Sequence, residues 1–271
     1  MSAENGIEPD RLEHYRKTGQ VSLRSLAAPG ELHWLREVYD RLFAERAGRA
    51  AGDHFDLARA DDDEQPALLP QIMHPARYAP ELRESQLLAN AQSSAAQLLG
   101  AEASCDFLHA ILKPARASSE TPWHQDAAYW PPHLVYESVS FWVPLEDVDE
   151  RRGCLHYVPG SQDLDVLQHQ PIGANPRIHG LEIHPSERHH VRDAVACPLR
   201  AGDASVHGGY VLHYAGPNLS AEPRRALVLM ASRSPRLRAE PRRFPWLEAR
   251  QTARAERAER NSTSRGLNTE G

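Results

Sequence analysis

Apolar positions along this chain change their spacing near residue 104. Before that point they recur at helical intervals: Leu32, Leu35, Val38, Leu42 and Phe43 share one face of a helix opened by Pro29-Gly30-Glu31 and closed at Ala47-Gly48. A short helix is predicted from Pro9 to Lys17, a brief strand from Val21 to Leu26, and another helix from Ser85 to Leu99, ended by Gly100. After residue 104, short apolar runs punctuated by Gly and Pro predict strands at 105–113, 138–145, 154–158, 195–199, 204–207, 211–214 and 225–232. Short strands at close spacing, preceded by helices able to back them, predict a mainly β fold with flanking helices, a sandwich or jelly roll rather than a parallel α/β sheet.

Three stretches break this pattern. Residues 50–70 are polar and carry the acidic run Asp61-Asp62-Asp63-Glu64, which reads as a solvated loop. Residues 162–192 show little strand signal, and so long an irregular segment reads as a lid over a site. From Ser234 onward the chain is Arg-rich, with a short helix expected near Trp246 to Arg260 and disorder over about the last ten residues. The expected organisation is one domain over residues 1–245, helical in 1–103 with a β core in 104–233, followed by a partly disordered tail in 246–271.

Composition narrows the function. The chain has 271 residues, 41% hydrophobic and 25% charged, as in an ordinary globular protein. A formal net charge of −6 argues against a nucleic-acid partner. No apolar run approaches membrane-spanning length, and the start MSAENGIEPDRLEHY lacks the apolar stretch of a secretory signal. Cys105, Cys154 and Cys197 are odd in number and lack C-x-x-C spacing, which suits a reducing, cytoplasmic setting. A small-molecule partner is expected; nothing in the residues sets the oligomeric state.

The chemistry is concentrated in Trp123-His124-Gln125-Asp126, read with His213 and Arg224. His124 and Asp126 are two apart, so on an extended segment both leave from one face. An H-x-D pair alone is a weak signal, more often a surface histidine beside a turn aspartate than a metal site. Here Thr121-Pro122 fixes the approach, and Tyr129-Trp130 with Pro131-Pro132 would wall the site against water. His213 is preferred over the nearby His207 as third ligand because Arg224 follows it by eleven positions. That interval would let a neighbouring antiparallel strand return the guanidinium to the metal, with Arg225 on the opposite face. Two imidazoles and a carboxylate on one side of an octahedral ion leave three open positions, as in non-haem Fe(II) oxygenases. A buried Arg would then clasp a carboxylate bidentately.

These residues carry a resemblance. Lys113-Pro114, Thr121 to Asp126, Ser140 to Leu145, Gly153 to Ser161, Gly202-Asp203, and His213 to Asn218 ending in Arg224-Arg225 resemble, in order, the phytanoyl-CoA dioxygenase family. The resemblance implies a double-stranded β-helix (jelly-roll, cupin-like) core with iron on His124, Asp126 and His213. It implies Fe(II), 2-oxoglutarate and O2 as cofactors, with Arg224 gripping the far carboxylate of 2-oxoglutarate. Trp142 occupies the position that packs beside that cosubstrate, or is an ordinary core tryptophan. Gln71 and His109 fall near positions that contact it in some members. The chain departs from the common pattern at Ala215 and Gln162, outside the metal set. The implied reaction is hydroxylation of an unactivated C–H with release of succinate and CO2. Desaturation, ring closure or epimerisation remain open, whereas retention of the Asp126 carboxylate argues against halogenation.

Two other classes use the same residues. A zinc hydrolase could bind its ion through the same three side chains, but no general base is evident and Arg224 would have no purpose. A non-catalytic jelly roll that binds a small acid would not need the complete ligand set. His169, His179, His184, His189 and His190 raise a second metal site, against which a solvated loop is the simpler reading. Arg177 and Arg192 could pair with an acidic substrate or simply lie on the surface.

Overall fold

The computed structural model describes residues 6–240 and 242–267. Its centre is a pair of antiparallel sheets. The larger has seven strands in the spatial order Gln20–Leu23, Ala204–Gly208, Ser138–Pro144, Arg224–Ser232, Ser104–Lys113, Pro70–Met73 and His54–Asp56. The smaller has four: Val195–Cys197, Leu155–Tyr157, His213–Ala215 and Thr121–His124. This is the jelly-roll fold, backed by helices.

The strand Ser138–Pro144, third in the large sheet, shows why the two faces differ. Val139, Phe141 and Val143 point to one side, where Leu35, Val38 and Leu42 of the helix Leu32–Ala44 and Leu87 and Ala91 of the helix Gln86–Leu99 complete the main core. Ser140 and Trp142 point to the other side, towards the small sheet. The neighbouring strand Arg224–Ser232 repeats this division, with Leu227, Leu229 and Ala231 towards the helices and Arg224, Val228 and Met230 towards the cavity between the sheets. Being covered on both faces, these strands read as continuous apolar runs. The first helix occupies Pro9–Thr18, and the strand after it is shorter than the predicted one.

Several expectations need correction. The Leu32 helix ends at Ala44, before Ala47-Gly48, because Arg46 turns to φ 50° and the Ala47 N–H closes on the Leu42 carbonyl at 2.9 Å. Residues 50–70 are a solvated loop only in part: 62–66 are exposed as expected, but two strands lie at the ends of the segment, and Asp56 is buried, accepting from the Leu68 and Leu69 amides at 2.7 and 3.1 Å. Within the acidic run, Asp61 is nearly buried and is held by Arg49 at 2.8 Å and by Arg257. The segment 162–192 contains a hairpin of His169–Pro171 with Leu181–Ile183, separated by short 3-10 turns.

The tail also differs from its expected state. A helical turn at Pro245–Glu248 buries Trp246, and a helix follows over Ala253–Leu267, well past Arg260; residues 268–271 lie outside the described residues. The Trp246 indole donates to the Ala128 carbonyl at 2.9 Å, and Arg254 donates to the Gly52 carbonyl at 2.8 Å. The tail is thereby fastened to both the β core and the N-terminal part. No helix among the described residues is long and apolar enough to cross a membrane.

Candidate active site

A cavity of about 350 Å³ opens between the sheets and brings together all seven residues singled out above: Gln71, His109, His124, Asp126, Trp142, His213 and Arg224. His124 and His213 face one another across two paired strands of the small sheet, in direct register, with ring centroids 4.2 Å apart. Asp126 follows His124 at the start of a short 3-10 turn, and its Oδ1 lies 3.8 Å from His124 Nε2 and 3.5 Å from His213 Nε2. One donor atom from each of the three lies within 4.8 Å of the others.

The remaining hydrogen bonds prepare these atoms for a cation. His124 Nδ1 meets the Pro122 carbonyl at 2.8 Å and His213 Nδ1 meets the Val211 carbonyl at 2.9 Å. A carbonyl only accepts, so each Nδ1 carries the proton and each Nε2 presents its lone pair to the centre, the usual tautomer of a metal-binding imidazole. Burial lowers the pKa of both rings, His213 well below its ordinary range, which keeps them neutral. Burial opposes ionisation of Asp126, but the His213, His207 and His124 rings outweigh it and hold its carboxyl below the usual carboxylate range. A compact set of two neutral nitrogens and one carboxylate fits a divalent transition-metal ion.

His207, the rival ligand, sits on the other side of the carboxylate. Its Nε2 is 3.5 Å from Asp126 Oδ2, and its Nδ1 lies 3.1 Å from the Tyr157 hydroxyl. Ser140 Oγ donates to the same Oδ2 at 2.8 Å. Gln125, between the first two ligands, is fully buried; its amide donates to the Tyr210 carbonyl at 2.8 Å and accepts from the Leu167 N–H at 2.8 Å. It ties the ligand-bearing turn to the 162–192 segment. Gly209, just before the His213 strand, lets the backbone pass close to the Trp130 ring, which a Cβ there would strike.

Arg224 is 1% exposed, yet among the described residues its Nε has no hydrogen-bond partner and its one hydrogen bond, at 3.5 Å, is to the Gly153 carbonyl. Among the described residues no carboxylate lies within ion-pair distance. The guanidinium carbon stands 5.1 Å from the centroid of the Trp142 ring. Burial lowers its pKa to about 10, still fully charged near neutrality. Lys113, directly across the strand pair, is also buried and donates to the carbonyls of Ala215 (2.9 Å) and Gly216. The expected hairpin return is not how Arg224 arrives. His213 lies in the small sheet and Arg224 in the large one, so the chain crosses the sandwich and the guanidinium approaches from the opposite wall. Arg225 does face the other way, pairing with Asp40 and Glu146 at 2.6 Å each.

Gln71 and His109 meet at 2.8 Å on adjacent strands. Arg177 and Arg192 are exposed and do not line the cavity. Of the five histidines in 162–192, only His179 lines it; His189 and His190 cluster with Glu187 at the surface, where they could hold an ion, and His169 accepts from the Gln125 N–H at 3.1 Å. Sequence reasoning missed His179, Arg250 and Arg254 in the cavity wall. The only available signal was the Arg-rich character of the tail.

The chain is similar to known proteins over most of its length. The family model for phytanoyl-CoA dioxygenase (PhyH) matches residues 15–226. EvdO2 from Micromonospora carbonacea var. aurantiaca superimposes with a TM-score of 0.76 at 40% identity, covering 91% of this chain and 99% of that one. The same protein complexed with 2-oxoglutarate gives 0.75 at 37%, with the same coverage. L-proline trans-4-hydroxylase of Streptomyces griseoviridis is 28% identical over 174 residues, 58% of this chain and 65% of that enzyme, so the chain spans less than two thirds of it. Phytanoyl-CoA dioxygenase of Arabidopsis thaliana is 24% identical over 264 residues, 84% of this chain and 90% of that one. With the family model spanning most of its length, this chain belongs to the phytanoyl-CoA dioxygenase family of 2-oxoglutarate-dependent non-haem iron oxygenases.

Proposed function

We propose that this enzyme hydroxylates an unactivated C–H bond of a small molecule, with iron held by His124, Asp126 and His213 and 2-oxoglutarate held by Arg224. The observation that carries this reading is Arg224 itself: a fully buried guanidinium, without an acid of its own, in the same cavity as the three ligand atoms. A buried charge left unpaired is costly, and a dicarboxylate cosubstrate provides the missing partner.

Iron and 2-oxoglutarate, when bound, supply the oxidising power by coupling O2 reduction to decarboxylation, which gives succinate and CO2. The protein's own work is positional. The Pro122 and Val211 carbonyls hold the two imidazoles in their binding tautomer. Ser140 fixes the far oxygen of Asp126 so that the other faces His124 and His213. Trp142 lies against the guanidinium and lines the same cavity, which favours cosubstrate packing over a purely structural role for the ring. Tyr129 and Trp130 line the cavity and exclude water from the reacting face. Gln71 and His109, hydrogen-bonded to each other on the same wall, are assigned to contacts with cosubstrate or substrate.

The test is spectroscopic and kinetic. Under nitrogen, Fe(II) plus 2-oxoglutarate should generate a weak visible charge-transfer band that vanishes in His213→Ala. Succinate should then appear only on admission of O2. Turnover supported by zinc alone would establish a hydrolase instead.

A further inference from the structure

Arg224 and the ligand triad account for one end of the cavity. Two further guanidiniums, from the C-terminal segment, line its wall. Arg250 lies over the Tyr129 ring, 5.1 Å from its centroid, and Arg254 over the Phe55 ring at 4.8 Å. His179 packs against both rings, at 4.6 Å from Phe55 and 5.9 Å from Tyr129.

Among the described residues Arg250 has no acid partner, and Arg254 has only a shared one. Arg250 donates to the His179 carbonyl at 3.0 Å, while its Nε is buried with no partner, and no carboxylate among the described residues lies within ion-pair distance. Arg254 donates to the Gly52 carbonyl and has only Asp53 Oδ1, at 3.9 Å. That aspartate is already bound through its other oxygen by Arg77 and Tyr78, at 2.8 and 2.7 Å. Among the described residues Asp126 is the sole acid lining the cavity. In the loaded enzyme a divalent ion, Asp126, dianionic 2-oxoglutarate and Arg224 cancel in charge, so Arg250 and Arg254 remain in excess. The Tyr129 ring joins the two regions, presenting its face to Arg250 and meeting the His124 ring edge-on at 6.1 Å.

We propose that Arg250 and Arg254 form an anion subsite, so that the molecule oxidised carries a carboxylate, sulfate or phosphate seated on this pair, one aromatic ring away from the metal centre. This rests on the oxygenase reading above and adds a substrate class to it. The planar fork of Arg suits all three oxyanions. The corresponding choice among surface arginines of the 162–192 segment is ruled out by their exposure.

The experiment uses the full chain loaded with Fe(II) and 2-oxoglutarate under nitrogen, so that Arg224 is already occupied. Inorganic sulfate is titrated calorimetrically against chloride at matched ionic strength. We expect one saturable sulfate, bound at least about tenfold more weakly in Arg250→Gln and in Arg254→Gln, and largely retained in Arg250→Lys. The charge-transfer band, recorded on the same samples, shows that each variant is folded and loaded. Acid and amide versions of candidate small molecules are then compared for stimulation of succinate release, with only the acids expected to act. Absence of sulfate binding in the wild type, equal binding in Arg250→Gln, or equal stimulation by amides would overturn the proposal. Loss of the band in the wild type with sulfate binding intact would remove the oxygenase reading and leave the anion subsite standing.

Discussion

Ser140 donates to the Asp126 carboxylate from the opposite sheet, at 2.8 Å, and so fixes which oxygen faces the two imidazoles. Loss of an outer hydrogen bond of this kind costs about 10- to 100-fold in metal affinity. Ser140→Ala should therefore weaken Fe(II) binding by roughly tenfold or more in anaerobic titration. Ser140→Thr, which keeps the hydroxyl, should bind nearly normally; equal affinity in Ser140→Ala would show the bond to be incidental.

Arg224 predicts a trade between stability and function. Arg224→Met should raise the KM for 2-oxoglutarate by more than about 30-fold, since truncating one partner of a buried charge pair costs at least about 2 kcal/mol. The same change removes an unpaired buried cation from the apo-protein, whose melting temperature should rise. A fall in apo-protein stability would mean that the Gly153 and Trp142 contacts already satisfy the guanidinium.

Gln125 holds its turn by two buried hydrogen bonds to backbone groups. Gln125→Ala leaves the Tyr210 carbonyl and the Leu167 N–H without this partner, a loss of about 1–3 kcal/mol in urea unfolding. Iron affinity should decline as well, because the ligand-bearing turn loses its tie to residues 162–192.

Acid should destabilise the protein through its buried neutral histidines. Burial depresses His54 and His109 to about 4 and His169 to about 3, from an ordinary 6.5; nearby Arg49 assists at His54, while Asp126 opposes at His109. A depressed folded-state value means that protons favour the unfolded chain. The stability these rings provide is thus complete above pH 6.5 and lost as pH falls towards 4 and then 3, by roughly 1.4 kcal/mol for each tenfold weakening of a ring's proton affinity on folding. Urea midpoints of the apo-protein across that window check the sign. His54→Gln should flatten the slope, and an unaltered slope would dismiss its share.

Trp246 anchors the tail. Trp246→Ala removes a ring stacked on Phe244 at 4.6 Å together with its bond to Ala128, for an expected loss of about 3 kcal/mol. Limited proteolysis should then cut within residues 250–267 much faster than in the wild type; an unchanged digestion pattern would mean that Arg254 and Arg257 hold the helix by themselves.

How much of this was legible depended on distance along the chain. The clustering of His124, Asp126 and His213 was readable because the first two share a local spacing and the flanking aromatic pair marks a wall. The main strands followed from apolar runs closed by Gly and Pro. His54–Asp56 and Pro70–Met73 escaped because their strand character comes from the Asp56 clasp on Leu68 and Leu69, which no local pattern records. The route of Arg224 escaped because an interval of eleven residues is compatible with a hairpin or with a crossing between sheets. The tail helix was partly visible, but its docking joins residues about two hundred positions apart, as in the pairing of Arg257 with Asp61.

That last pairing has a wider consequence. The helix that brings Arg254 to the cavity is moored by Asp61, Gly52 and Asp53, none of which shares a strand with the proposed iron ligands. On the anion-subsite proposal, mutation in this outer segment would change which molecules are admitted without touching His124, Asp126 or His213. Selectivity and reactivity would then be separable in this scaffold, and exchange of the tail between relatives would change the first and leave the second.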